Sequence, residues 1–196
     1  MEIVSVVGAP TIALVGLPGS GKSAIGRRLG QQLGWRFVDS DHCIEDRIGC
    51  TIRQFFEREG EDAFRDVEEQ VLADLTSSLQ LGVMATGGGS VLRAANRQHL
   101  RERTHVVYLR SSPEDLLKRL RHDTKRPLLQ VADPLQRLKE LHAARDPLYR
   151  EIAHTTVDTG RPSIAMLVAK LVQQLEAADV VRANPASDGG PTPGDA

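Results

Sequence analysis

Residues 16–23, Gly-Leu-Pro-Gly-Ser-Gly-Lys-Ser, satisfy G-x-x-x-x-G-K-[ST], and no other stretch of the chain restricts its fold as narrowly. Upstream, Thr11-Ile12-Ala13-Leu14-Val15 is a short apolar run that reads as a buried strand. Downstream, Ile25, Leu29 and Leu33 fall at helical spacing. The loop therefore joins a strand to a helix, the context in which this motif binds phosphate. Glycines let successive backbone N–H groups converge on one anion, and the helix N-terminus adds partial positive charge. Lys22 can reach the β- and γ-phosphates, and the Ser23 hydroxyl is a hard ligand suited to Mg²⁺. A glycine-rich turn that merely precedes a lysine needs neither the strand nor the helix. The loop implies a nucleoside triphosphate.

Composition narrows the setting. A chain of 196 residues with 40% hydrophobic and 26% charged content suits one soluble domain with a proper core. A formal net charge of −1 argues against a general nucleic-acid or membrane-surface binder. Cys43 and Cys50 form no metal or redox motif and fit a reduced cytoplasmic interior. No apolar run approaches a membrane span, and residues 1–10 lack the pattern of a signal peptide, so they read as a short leader.

Gly34 is placed to end the first helix, and Trp35 to Asp39 reads as a second strand. That strand delivers Asp39 and Asp41 to a carboxyl end, where parallel α/β sheets bind ligands. Either acid could instead cap the next helix. Thr51-Ile52-Arg53-Gln54 has the form of a capping box and predicts a helix towards Gly60, with a second helix from Glu61 to Leu79. On the latter, Arg65 and Glu68 are spaced to pair on a solvated face. A third strand, Val83-Met84-Ala85, runs into Gly87-Gly88-Gly89. Three glycines cost backbone entropy, which points to a ligand or another backbone in close approach, with a loose loop as the alternative. Ala94 to Glu102 predicts a short helix, His105 to Leu109 a fourth strand, and Ser112-Pro113-Glu114-Asp115 a strong helix start.

Residues 121–133 break the periodicity with charge. Such a segment is either a lid that closes on phosphates, with Lys125 or Arg126 as its cations, or a solvated loop. Asp133-Pro134 starts a helix through Arg145, His154 to Asp158 reads as the fifth strand, and Ser163 to Ala178 as the closing helix. The composition of residues 183–196 predicts a disordered tail. The alternation as a whole gives a five-stranded parallel sheet with helices on both faces, formed by residues 11–178.

A bound triphosphate leaves a small-molecule kinase, a hydrolysing switch and a non-catalytic sensor open. The strands after the loop end in acids and glycines rather than in a strand closing on Asp-Glu, which favours a second pocket beside the γ-phosphate. Phosphoryl transfer needs positioning, metal and positive charge, together with a hydroxyl acceptor that a carboxylate such as Asp41 can hold.

Six ordered motifs together resemble shikimate kinase: residues 16–23, Asp-Ser-Asp at 39–41, Phe-Arg-Asp-Val-Glu at 64–68, Gly-Gly-Gly at 87–89, Arg-Pro-Leu-Leu at 126–129, and Arg-Asp-Pro-Leu-Tyr-Arg-Glu at 145–151. The resemblance implies a three-layer P-loop fold like that of the nucleoside-monophosphate kinases, with a mobile lid, and transfer of the γ-phosphate of ATP to the 3-hydroxyl of shikimate. It implies ATP contacts from Gly19, Ser20, Gly21, Lys22, Ser23 and Ala24, with Arg119 flanking the adenine and Arg126 reaching the phosphates from the lid. Ser23 and Asp39 would support Mg²⁺. Asp41 would grip the shikimate hydroxyls, Arg65 and Arg145 the carboxylate, and the backbone of Gly87, Gly88 and Gly89 would meet the substrate. Lys22, Asp41 and Arg126 would be catalytic. On this reading Glu68 orients Arg65, and the guanidinium forks suit a planar carboxylate.

The sequence departs from the family at Ala24, which replaces a common Thr and removes one hydroxyl. No role is assigned to the segment around Arg161-Pro162 or to the tail. Within the kinase class, a gluconate kinase is the nearest rival; the Asp-Ser-Asp and Gly-Gly-Gly pairing separates the two better than the arginines do. The expected partners are ATP and shikimate alone, on a cytoplasmic monomer.

Overall fold

The computed structural model describes residues 11–120, 131–160 and 163–181. The leader 1–10, residues 121–130 of the expected lid with Lys125 and Arg126, Arg161-Pro162 and the tail 183–196 lie outside the described residues. In chain order the elements are β1 (Thr11–Val15), α1 (Lys22–Leu33), β2 (Arg36–Asp39), α2 (Ser40–Ile48), α3 (Ile52–Ser78), β3 (Gly82–Ala85), α4 (Ala94–Arg103), β4 (His105–Arg110), α5 (Pro113–Leu120), α6 (Pro134–Ile152), β5 (Thr155–Asp158) and α7 (Ile164–Ala177). The strands form one parallel sheet in the order β2-β3-β1-β4-β5.

β1 lies at the centre, completely buried, and its alternation divides the core. Ala13 and Val15 point into one layer with Leu72, Leu100, Leu116 and Tyr149, contributed by α3, α4, α5 and α6. Ile12 and Leu14 point into the other, with Ile25 and Leu29 of α1 and Leu171 and Leu175 of α7. This is the three-layer arrangement the sequence predicts, and it leaves the carboxyl ends of β1, β2 and β3 side by side at one edge. A smaller cluster of Ile44, Phe64 and Val71 fixes α2 against α3.

Local signals explain most boundaries. Thr51 and Gln54 make the reciprocal capping box, and Gly60, at φ 84 and ψ 178, breaks α3 into the two expected helices. One boundary differs. α6 does not stop at Arg145 but continues through Pro147 to Ile152. Proline removes one ladder hydrogen bond, yet Pro147 and Ala143 are both exposed, so water can take the freed carbonyl. Leu148, Tyr149 and Ile152 meanwhile pack on the core and hold the last turns in place.

At the opposite edge of the sheet, two histidines are held in neutral form. The Val106 N–H donates to His154 Nδ1 at 3.0 Å, which requires that nitrogen to be unprotonated. His105 Nε2 lies 2.8 Å from Thr155 Oγ1, and the two imidazoles stack with centroids 5.2 Å apart. Burial and then His154 lower the His105 pKa from 6.5 to about 4, while burial and then Arg101 lower that of His154. The unfolded chain therefore binds more protons than the folded one below pH 6.5, so stability rises with pH across this window. Thermal unfolding should show a melting temperature that is level above pH 6.5 with respect to this pair and falls towards pH 4. His105→Gln should flatten that fall; an unchanged slope would contradict the assignment.

Candidate active site

The nucleotide loop is built as its motif requires. Gly21 occupies the N-cap of α1 at φ 94, a left-handed conformation that L side chains avoid. The loop closes on itself through Ser20 N–H donating to the Leu17 carbonyl at 3.1 Å. Lys22 Nζ folds back to donate to the carbonyls of Gly16 at 2.8 Å and Leu17 at 3.0 Å, so the ammonium lies over the loop. Gly19 and Ala24 face the cavity beside it, whereas Ser20 is buried beneath, with a hydroxyl that has no hydrogen-bond partner among the described residues.

Ser23 and Asp39 meet across the α1–β2 gap, the hydroxyl donating to Asp39 Oδ2 at 2.6 Å. The other oxygen of Asp39 accepts the Asp41 N–H at 3.1 Å and caps α2. The capping reading of this acid therefore holds, and its second oxygen is engaged by the Ser23 hydroxyl. A hydroxyl and a carboxylate in contact form a pair of hard oxygens that fits Mg²⁺, whose remaining sites are usually filled by phosphates and water. Asp41, in the first turn of α2, is pushed above the ordinary aspartate value by burial and by the charge of Asp39, with Lys22 opposing.

The three glycines sit where no larger residue fits. A Cβ on Gly87 would lie 2.8 Å from Asp41 Oδ1 and 3.1 Å from Glu68 Oε1. One on Gly88 would strike the Pro18 ring at 2.7 Å, and one on Gly89 would reach Arg65 Nη1 at 2.5 Å. The close approach foreseen from the sequence is made here by side chains of the chain itself. Arg65 does not pair on a solvated face: its side chain is only 12% exposed, and it donates to Glu68 Oε2 at 2.6 Å, a carboxylate that is 2% exposed. Glu61 holds the other side of the guanidinium at 3.0 Å. Burial pushes the Glu68 carboxyl up, with Arg65, Asp41 and Arg145 all near enough to act on it.

Arg145, on α6, donates to the Gly88 carbonyl at 3.1 Å, and Tyr149, one turn later, donates to the same oxygen at 2.6 Å. Arg65 and Arg145 therefore lean on adjacent glycines of one loop.

A cavity of about 460 Å³ opens at this edge, lined by Lys22, Ser23, Asp39, Asp41, Gly88 and Arg119 among others. Arg65, Gly87, Gly89 and Arg145 are not among its lining residues, although Arg145 bonds the carbonyl of Gly88, which is. Arg119 is tied to both the hydroxyl and the carbonyl of Thr159, at the end of β5. Three residues escaped the sequence reading. Thr86 bonds the Leu14 carbonyl and lines the cavity, as does Arg27, whose guanidinium lies 5.3 Å from the Phe37 ring centroid. Tyr149 was hidden because the helix was expected to end at Arg145. With α6 continued, its position four residues on is the signal that places it on the same face.

A phosphate loop, a hard-oxygen pair and an acid converging at one edge of a parallel sheet define a P-loop kinase that acts on a small molecule. Residues 18–176 match the family model described as shikimate kinase. The shikimate kinase of Paracidovorax citrulli is 55% identical over 172 residues, covering 87% of this chain and 94% of that protein. A solved structure, the shikimate kinase from Acinetobacter baumannii in complex with shikimate, superposes with a TM-score of 0.82 at 46% identity, covering 87% of this chain and 94% of the other. A gluconokinase from Sinorhizobium meliloti, at 20% identity and a TM-score of 0.54 over 86% of this chain and 97% of the other, shares the fold alone. The chain belongs to the shikimate kinase family.

Removing one member of a buried ion pair leaves the other uncompensated, at a cost of about 3–5 kcal/mol. Glu68→Ala should therefore destabilise the protein by about 3 kcal/mol in chemical denaturation, the lower end because Glu61 still holds Arg65. A loss below about 1 kcal/mol would mean that the pair is no more than a surface contact.

Proposed function

We propose that this chain transfers the γ-phosphoryl group of ATP to the 3-hydroxyl of shikimate, giving shikimate 3-phosphate and ADP on the route to chorismate and the aromatic amino acids. The observation that carries this reading is the placement of Arg65 and Arg145 on adjacent glycines, next to a cavity lined by Lys22, Asp41 and Gly88. Family membership, and a relative at 46% identity that is itself in complex with shikimate, support the choice of acceptor.

In this mechanism the loop of Gly19, Ser20, Gly21, Lys22, Ser23 and Ala24 cradles the phosphates, and Lys22 balances the charge on the transferring group. Ser23 and Asp39 hold Mg²⁺, which when bound supplies positive charge against the phosphate oxygens. Arg65 and Arg145 fix the shikimate carboxylate, and the backbone of Gly87, Gly88 and Gly89 sets how closely the ring approaches. Asp41 orients the 3-hydroxyl. Its pKa, raised by burial and by the charge of Asp39, makes it a better proton acceptor than an exposed aspartate. The hydroxyl oxygen forms the new bond to the γ-phosphorus, the bridge to the β-phosphate breaks, and ADP leaves. Arg119 flanks the adenine, and Arg126 reaches the phosphates from a lid at 121–133. The proposed enzyme is a monomer. No described helix is long and apolar enough to cross a membrane, in keeping with a cytoplasmic enzyme.

A coupled ADP-release assay over a panel of hydroxy acids tests the reading. Shikimate should be turned over at least a hundredfold faster than gluconate, a margin of about 2.7 kcal/mol in transition-state binding. Lys22→Met should abolish the signal while leaving the circular dichroism spectrum intact. Equal turnover of gluconate would reject shikimate as the substrate, and activity persisting in Lys22→Met would remove that lysine from the mechanism.

A further inference from the structure

Tyr149 is a large, completely buried side chain that the transfer mechanism does not use; its hydroxyl donates to the Gly88 carbonyl at 2.6 Å and is also hydrogen-bonded with the Arg145 side chain. That oxygen is also the one on which Arg145 rests. A carbonyl has two lone pairs, and here both are taken by donors from one helix, four residues apart. The phenol cannot drift, because its ring stacks on Tyr108 with centroids 5.0 Å apart. Tyr108 is anchored in turn, donating at 2.7 Å to Asp146 on the same helix, whose other oxygen accepts from Arg150 at 2.6 Å. Burial alone would raise the Asp146 pKa, but the hydrogen bonds from Arg150 and Tyr108 outweigh it and keep that carboxylate ionised. A continuous line of contacts thus runs from β4 through the inner face of α6 to the middle glycine of the loop.

We infer that Tyr149 is a positioning residue for the acceptor site: by pinning the Gly88 carbonyl, it sets both the glycine loop and the guanidinium of Arg145. Gly88 has no side chain through which α6 could hold it, so its carbonyl is the available handle. Without the phenol, Arg145 is left to hold that oxygen by itself, at 3.1 Å and from a half-buried side chain. The carboxylate clamp then loosens while the phosphate loop, built on α1, keeps its geometry. The inference rests on the proposed shikimate phosphorylation and assigns a residue to its acceptor side.

Tyr149→Phe tests it, since the ring and its stacking on Tyr108 are kept and only the hydroxyl is lost. The wild type is first assayed with shikimate and ATP; no turnover there would overturn the proposed function and this inference with it. Given wild-type turnover, Tyr149→Phe should raise the KM for shikimate about tenfold, the scale of one buried hydrogen bond, with kcat and the KM for ATP within about twofold. In an Arg145→Ala background the same substitution should raise it less than about threefold, because the two side chains act through one oxygen. An unchanged shikimate KM, a parallel rise in both substrates' KM values, or an undiminished factor in the Arg145→Ala background would each refute the role.

Discussion

At residue 87 there is room for a hydrogen atom and nothing more between the carboxylates of Asp41 and Glu68. The rest of the site depends on that crowding. α2 brings Asp41 to one side of the glycine loop and α3 brings Glu68 and Arg65 to the other, while α6 reaches over with Arg145 and Tyr149. Three helices converge on three residues. A side chain on Gly87 or Gly89 would push an acid or a guanidinium out of place, and one on Gly88 would meet the Pro18 ring, so the loop acts as a spacer among its neighbours.

The sheet makes this convergence possible. With β1 in the middle and β3 and β2 successively beside it, the phosphate loop, the glycine loop and Asp39 emerge from adjacent strands. The phosphate loop and the glycine loop touch where Pro18 packs against Gly88. Lys22 and Asp39 act on Asp41, and Arg65 and Arg145 act on Glu68. A buried carboxylate with a guanidinium against it is a poor source of net stability but a good means of fixing that guanidinium in one orientation.

Much of this was legible in the sequence because its signals are local. The phosphate loop sits between an apolar run and a helical pattern, the capping box at Thr51 and Gln54 forms as written, and the glycine triplet announced a close approach. What could not be read was tertiary. Nothing in the residues 64–68 says that Arg65 is buried; its partner Glu68 is taken out of water only when α3 packs under the glycine loop. The helix expected through Arg145 runs on past Pro147, because the packing of Tyr149 and Ile152 outweighs the lost hydrogen bond. That misplaced boundary concealed Tyr149, which with Arg145 ties α6 to Gly88. Asp39 was posed as a cap or a ligand, and the fold uses one carboxylate oxygen for the cap and sets the other against the Ser23 hydroxyl.

The central claim is that a phosphate cradle and a carboxylate clamp face each other across a single glycine loop. A crystal structure of the protein with ADP and shikimate measures this directly. The account predicts the shikimate carboxylate within hydrogen-bond distance of both Arg65 and Arg145, with the 3-hydroxyl turned towards Asp41 and the phosphate side. Shikimate bound away from the Gly87–Gly89 loop, or held by neither arginine, would contradict it.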